Sequence, residues 1–324
     1  MGRMPGRRFF LAVPAALLML GCGCVSGPRR EESELRAGKN SYLAGNYIYA
    51  AAEFDRIIAT RPDSDIEAGA YIGLGASYEA LHNYGEALTT YRLAVQLHPK
   101  SSQLLLRLGA LYYKLALYPQ SLAVYTTALK LDPENVTANL GIARTYMKTG
   151  YLVSAARHYK SAIDSSGGNY GMRYAYSDCL FRQRNLLGAE TEALNALSLN
   201  RADPDIWFLL ARIQFEHGNQ EAALRSIESA SALSGGRSDI ESFRLMWLSQ
   251  FGKLELAVPL ADTLIGKYPD DALIKWTAGL VYLKAGQRDK ARVTLAELAG
   301  SRDDTFISRS AGRLLEAAGL AQKH

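Results

Sequence analysis

The chain has 324 residues, 48% of them hydrophobic and 21% charged, with a formal net charge of +5. Those proportions are those of a folded protein and exclude general disorder, and so balanced a charge excludes the dense basic face that nucleic acid binding requires. Three cysteines, Cys22, Cys24 and Cys179, offer neither a disulfide framework nor metal-ligand spacing.

The first element is a leader. Residues 1–8 carry Arg3, Arg7 and Arg8 and no acid, Phe9 to Leu20 are apolar, and Gly21-Cys22-Gly23-Cys24 follows. This is the layout of a secretory signal peptide. The apolar run is interrupted by Pro14 and is shorter than the roughly 20 residues of a spanning helix. Leu18-Met19-Leu20-Gly21-Cys22 resembles a bacterial lipobox, from which Met19 and Leu20 depart. The resemblance implies removal of residues 1–21, diacylation of Cys22 and a lipidated linker over 22–30; ordinary cleavage nearby, leaving a soluble exported protein, is the other outcome. Gly23 in place of Asp implies the outer membrane, facing the periplasm. Arg7-Arg8-Phe9-Phe10-Leu11 is similar to the twin-arginine export motif, but paired arginines are ordinary in basic leaders, so the export route stays open. Without the leader's three arginines, 34 basic residues face 32 acidic ones.

Next comes a repeat. Pro99 and Pro133 lie 34 residues apart, each ending a helical pattern. Aligned on that interval, Tyr71, Leu74, Gly75, Tyr78, Ala87, Tyr91 and Ala94 correspond to Leu105, Leu108, Gly109, Tyr112, Ser121, Tyr125 and Ala128. The frame extends to eight repeats at 31–64, 68–101, 102–135, 136–169, 170–203, 204–237, 238–271 and 272–305, with three extra residues at 65–67. Gly45, Gly150, Gly218, Gly252 and Gly286 fall at the turn between the two helices of a repeat, where positive φ is expected. Pro259 falls inside a second helix and is expected to kink it, and Ser165-Ser166-Gly167-Gly168 is a second irregularity. Phe306 to Leu320 reads as a capping helix, within a C-terminal segment 306–324.

A 34-residue period of large, small, aromatic and proline positions resembles the tetratricopeptide repeat. The resemblance implies an all-α fold: an α-solenoid of about eight helical hairpins in a right-handed superhelix, the first helix of each pair lining a concave groove. It also implies a protein that binds other proteins through a peptide segment held in that groove.

No chemistry is legible beside this. His82, His98, His158, His217 and His324 are scattered, and neither a phosphate loop nor a nucleophile elbow occurs. No catalytic residue, metal site or cofactor is expected. The family frame turns toward the groove the cations Arg107, Lys114, Arg144, Lys148, Arg182 and Arg212 and the aromatics Tyr113, Tyr174, Phe181, Phe208 and Phe215. Cations beside aromatic platforms suit an acidic or apolar peptide. The same residues in a purely structural role would pack between first helices or stand solvated. The chain is similar to lipid-anchored repeat proteins such as the pilotins of type IV pili and tight-adherence pilus assembly lipoproteins, which implies work in assembling a pilus or secretion system. A scaffold for cell-wall or exopolysaccharide machinery is the alternative within the class; a periplasmic enzyme or small-molecule binder would need a deep polar pocket.

Overall fold

The computed structural model describes residues 28–60, 66–300 and 306–320. The leader, Cys22, Cys24 and His324 lie outside the described residues. Every regular element among those described is an α-helix. In order they are α1 (Pro28–Leu43), α2 (Tyr47–Thr60), α3 (Glu67–Ala80), α4 (Tyr84–Leu97), α5 (Ser102–Lys114), α6 (Tyr118–Leu131), α7 (Val136–Thr149), α8 (Leu152–Ser166) and α9 (Tyr170–Arg182). There follow α10 (Leu186–Leu199), α11 (Pro204–Glu216), α12 (Gln220–Leu233), α13 (Ser238–Gln250), α14 (Leu254–Lys267), α15 (Ala272–Lys284), α16 (Arg288–Ala299) and α17 (Phe306–Ala317). Helices α1 to α16 are the sixteen helices of the eight expected repeats, and α17 is the expected cap. None of the described helices is long and apolar enough to cross a membrane.

Contacts divide the chain into two compact bodies, with the boundary between Leu115 and Ala116. In the first, α1 to α5 pack each on the next, and first helices also touch, α1 on α3 and α3 on α5. In the second, the same sequential packing runs from α6 to α17, with α9 on α11, α13 on α15 and α15 on α17. Helix α17 closes this body by burying Ala311 and Leu315 against Leu295 and Leu298 of α16.

The turns repeat as regularly as the helices. Positive φ occurs at 82, 116, 150, 184, 218, 252 and 286, at intervals of 34 residues, and at Gly45, 37 residues before the first of these. The three extra residues at 65–67 account for that difference. Five of the eight are the glycines expected there; the others are His82, Ala116 and Arg184, with φ of 60°, 57° and 65°. Helix starts follow ordinary capping: the side chains of Asn135, Asn169, Asn185 and Asn219 each accept from a backbone N–H of the first turn, as do those of Asp203 and Asp271.

Packing turns on small residues facing large ones. A Cβ added to Gly75 would fall within the ring of Tyr91, and one at Gly141 within that of Tyr125. Phe54, at the same repeat place as those tyrosines, covers both Gly38 and Gly73. The aromatic of a second helix therefore wedges against its own first helix in one repeat and against the following one in another. Ala87, Ala155, Ala193 and Ala261 are fully buried at the crossings. Helix α14 continues through Pro259 from Leu254 to Lys267, and α8 runs to Ser166, where Gly167 and Gly168 end it with positive φ.

Candidate peptide-binding face

Helices α7, α9, α11, α13 and α15 are the first helices of the fourth to eighth repeats, and in the second body they carry most of the residues expected to face a ligand. Arg144 and Lys148, one turn apart on α7, are both exposed, and neither has an acidic partner within ion-pair distance among the described residues. On α9, Arg182 donates from Nε to Asp178 at 2.9 Å, so that cation is held by its own helix. Tyr174 is half-buried; burial, then the carboxylates of Asp178, Asp205 and Asp203, push its phenol up, so it stays protonated at neutral pH.

Arg212 of α11 joins two helices. Its guanidinium carbon lies 5.1 Å from the ring centre of Phe181 on α9 and 5.8 Å from that of Phe208 on its own helix. A guanidinium is planar and weakly hydrated, so it can rest against rings and still offer its N–H donors to a carboxylate. The aromatic series continues, because Phe208 meets Phe243 of α13 at 5.2 Å between ring centres. Phe215 points inward: it stacks on Trp247 at 4.6 Å and 11° and also meets Phe251, within a buried cluster. Its role in this structure is packing.

The remaining expected residues lie on α5, in the first body. Arg107 is exposed and without an acidic partner at ion-pair distance among the described residues, and Tyr113 is half-buried. Lys114 leans on the preceding repeat, its Nζ 4.6 Å from the centre of the Tyr84 ring and 3.9 Å from Glu79.

One part of the face was not read from the sequence. Between α13 and α15 a small apolar cavity of about 100 Å³ is lined by Ser242, Phe243, Met246, Leu273 and Thr277. Met246 and Leu273 are more than a third exposed, and so is Leu280 farther along α15. Phe243 and Met246 stand three apart on one face of α13, a signal present in the sequence but indistinguishable there from core spacing.

Two side chains of reactive type, Cys179 and His158, are occupied structurally. Cys179 is fully buried, donates to the carbonyl of Leu152 at 3.4 Å and has its thiol pushed up by burial, the opposite of an activated nucleophile. His158 is lowered by burial and then by Arg157, and its Nδ1 lies 2.8 Å from Asn139 Oδ1. No group of three or more His, Cys, Asp or Glu among the described residues is placed to hold a metal ion.

Tandem helical hairpins, with cations and aromatics on their first helices and no reactive cluster among the described residues, define the class as an α-helical repeat protein. Residues 68–101 match one family model, and residues 106–170 and 180–237 another, both described as tetratricopeptide repeat. The chain carries tetratricopeptide repeats. Solved structures with the same fold include a tetratricopeptide repeat protein from Parabacteroides merdae, 15% identical over 90% of this chain and 99% of that one, TM-score 0.54. PilF of Pseudomonas aeruginosa is 15% identical over 67% and 97%, TM-score 0.58. YrrB, described as a repeat protein with an unusual peptide-binding site, is 20% identical over 57% and 95%, TM-score 0.50. At these identities the likeness shows the fold. No curated protein matches the sequence.

Proposed function

We propose that this chain is an exported scaffold, lipid-anchored through Cys22 at the periplasmic side of a bacterial outer membrane, that holds an acidic or apolar segment of another protein and so serves assembly of an envelope complex such as a pilus or secretion system. Tetratricopeptide repeats support the coarse part of this reading, an interaction scaffold rather than an enzyme. The observation that carries the binding part of the reading is the Phe181–Arg212–Phe208–Phe243 series on three successive first helices, running toward the apolar cavity at Met246 and Leu273. A guanidinium between rings beside an apolar cavity offers an acidic group and an apolar side chain two anchors. The peptide-binding site of YrrB is a precedent for such use in the fold. Pilus or secretion assembly rests on the leader and on the likeness to lipid-anchored repeat proteins.

The test is crosslinking in cells from a photoreactive residue at Met246, followed by identification of the captured protein and measurement of its binding. Capture of a pilus or secretion component, with affinity lost in Arg212→Ser, supports the proposal. Capture of a cell-wall synthase favours the alternative scaffold, and binding unchanged in a folded Arg212→Ser, Phe243→Ala chain excludes this face.

A further inference from the structure

The first hairpin ends in a tip that no described residue of its own body covers. Leu43 is 81% exposed, Ile48 71% and Tyr49 73%. The hairpin does not lack a core, since Ala50, Ala51, Phe54 and Ile57 are buried just behind the tip. Nor is the tip loose. Gly45, with φ of 80°, donates to the carbonyl of Tyr42 at 3.0 Å, Asn46 donates to that of Ser41 at 2.9 Å, and the rings of Tyr42 and Tyr47 meet at 5.2 Å. Between Lys39 and Glu53 there is no charged residue. End repeats of an array ordinarily present a polar outer surface, so a preformed, uncharged tip of Leu, Ile and Tyr at this end calls for an occupant.

We infer that the occupant is the lipid surface: the tip is a second membrane contact, with Leu43, Ile48 and Tyr49 entering the interfacial layer. The inference rests on the reading of Cys22 as lipidated. Cys22 precedes α1 by six residues, a tether of at most about 20 Å when extended, while α1, at 16 residues, is about 24 Å long. A chain so tethered keeps its first hairpin at the bilayer, and inclining α1 brings the tip down to it. The chemistry agrees. Tyrosine with aliphatic neighbours is the composition of interfacial anchors, and an uncharged tip pays no penalty for dehydrating a charge. Exposed Arg36 and Lys39 lie seven and four positions before Leu43, on its face of α1, where they meet anionic headgroups as the tip enters. In the second body Leu187 is as exposed as Ile48, but it stands near Arg184, which is paired with Glu216, and far along the chain from Cys22.

The full chain, expressed with its own leader in a bacterium and isolated from its membranes, is reconstituted into dibrominated phosphatidylcholine vesicles containing a minor fraction of phosphatidylglycerol. Ile48→Trp is compared with Leu187→Trp and with the wild type, whose tryptophans are Trp207, Trp247 and Trp276. Emission added at position 48 should be mostly lost to bromine quenching, and that added at position 187 kept. Equal quenching of the two overturns the inference. So does a doubled solution mass that Ile48→Ser returns to a single chain, which would give the tip to a second copy. The mass of the N-terminal peptide tests the anchor separately. If Cys22 is not acylated, flotation of the same chain with vesicles decides for the tip. A loss of at least about tenfold in Leu43→Ser, Ile48→Ser, Tyr49→Ser with unchanged helix content keeps it, since one buried large side chain is worth that much in partition, and no loss removes it.

Discussion

At the scale of single residues the repeat is a set of places where a side chain must be absent or must tolerate an unusual backbone. Gly75 lies beneath Tyr91 and Gly141 beneath Tyr125, so Gly75→Ala and Gly141→Ala should each cost about 1–3 kcal/mol by overpacking, read as a fall in the denaturant midpoint. Gly85, exposed in the first turn of α4 with nothing near its would-be Cβ, is the control. Gly85→Ala should gain about 0.4–1 kcal/mol, because the unfolded chain loses freedom at no packing cost. Turn places behave in the reverse sense. Ala116 takes φ of 57° where five other repeats have glycine, and Ala116→Gly should therefore raise stability by about 1 kcal/mol. An unchanged midpoint in that variant would mean that the turn carries no strain. Glycine at these places was legible from spacing alone, but His82, Ala116 and Arg184 were not, because a left-handed alanine looks like any other alanine until the period is laid over it.

At the scale of elements, α14 shows how the stack accepts a local fault. Pro259 removes one backbone donor in this helix, yet Ala257, Ala261 and Leu264 bury its inner face, and that packing holds it together. Pro259→Ala should raise the melting midpoint, by up to about 3 kcal/mol in stability. Across the neighbouring groove, Lys290 donates to both oxygens of Asp262, at 2.8 and 2.9 Å, and Tyr282 donates to one of them at 2.7 Å. These bonds, Lys290 first and Tyr282 second, hold the Asp262 carboxyl below its ordinary range. A depressed folded pKa contributes stability that is present above the unfolded value, about 3.9, and is lost as pH falls through the lower folded one. Asp262→Asn should accordingly flatten the loss of stability below about pH 4, and near neutral pH it should change stability by less than about 1 kcal/mol, because the pair is half exposed. Helix order and the cap at α17 were legible in the sequence because a fixed period repeats every packing choice eight times. The boundary after Leu115 was not, since it falls inside a repeat with good signature residues and depends on which contacts form rather than on residue type.

For the whole molecule, the function depends on which groups a near-neutral chain leaves unspent. The sequence frame picked out six cations without showing their partners, because ion pairing depends on rotamers and on neighbours distant in the chain. In the structure Arg182 is held by Asp178, Lys114 rests on Tyr84, and Arg212 is sandwiched by rings, whereas Arg144 and Lys148 stand exposed and unpaired. Two kinds of contribution to binding follow. Exposed, unpaired cations act at long range, so they should govern the encounter rate with an acidic segment and its salt dependence. Arg212 and Phe181 act at contact, so they should govern release. Replacing Arg144 and Lys148 by Ser should flatten the slope of association rate against salt and leave the dissociation rate nearly unchanged. Phe181→Ala should speed dissociation, by an amount corresponding to about 1–2 kcal/mol, with the salt slope intact. Stopped-flow association and dissociation of the crosslinked partner's peptide, measured over a salt series, separate the two. The reverse pattern, with salt dependence carried by Phe181 and release by Arg144 and Lys148, would mean that the ligand lies along α7 and that the ring–guanidinium series is only part of the packing between first helices.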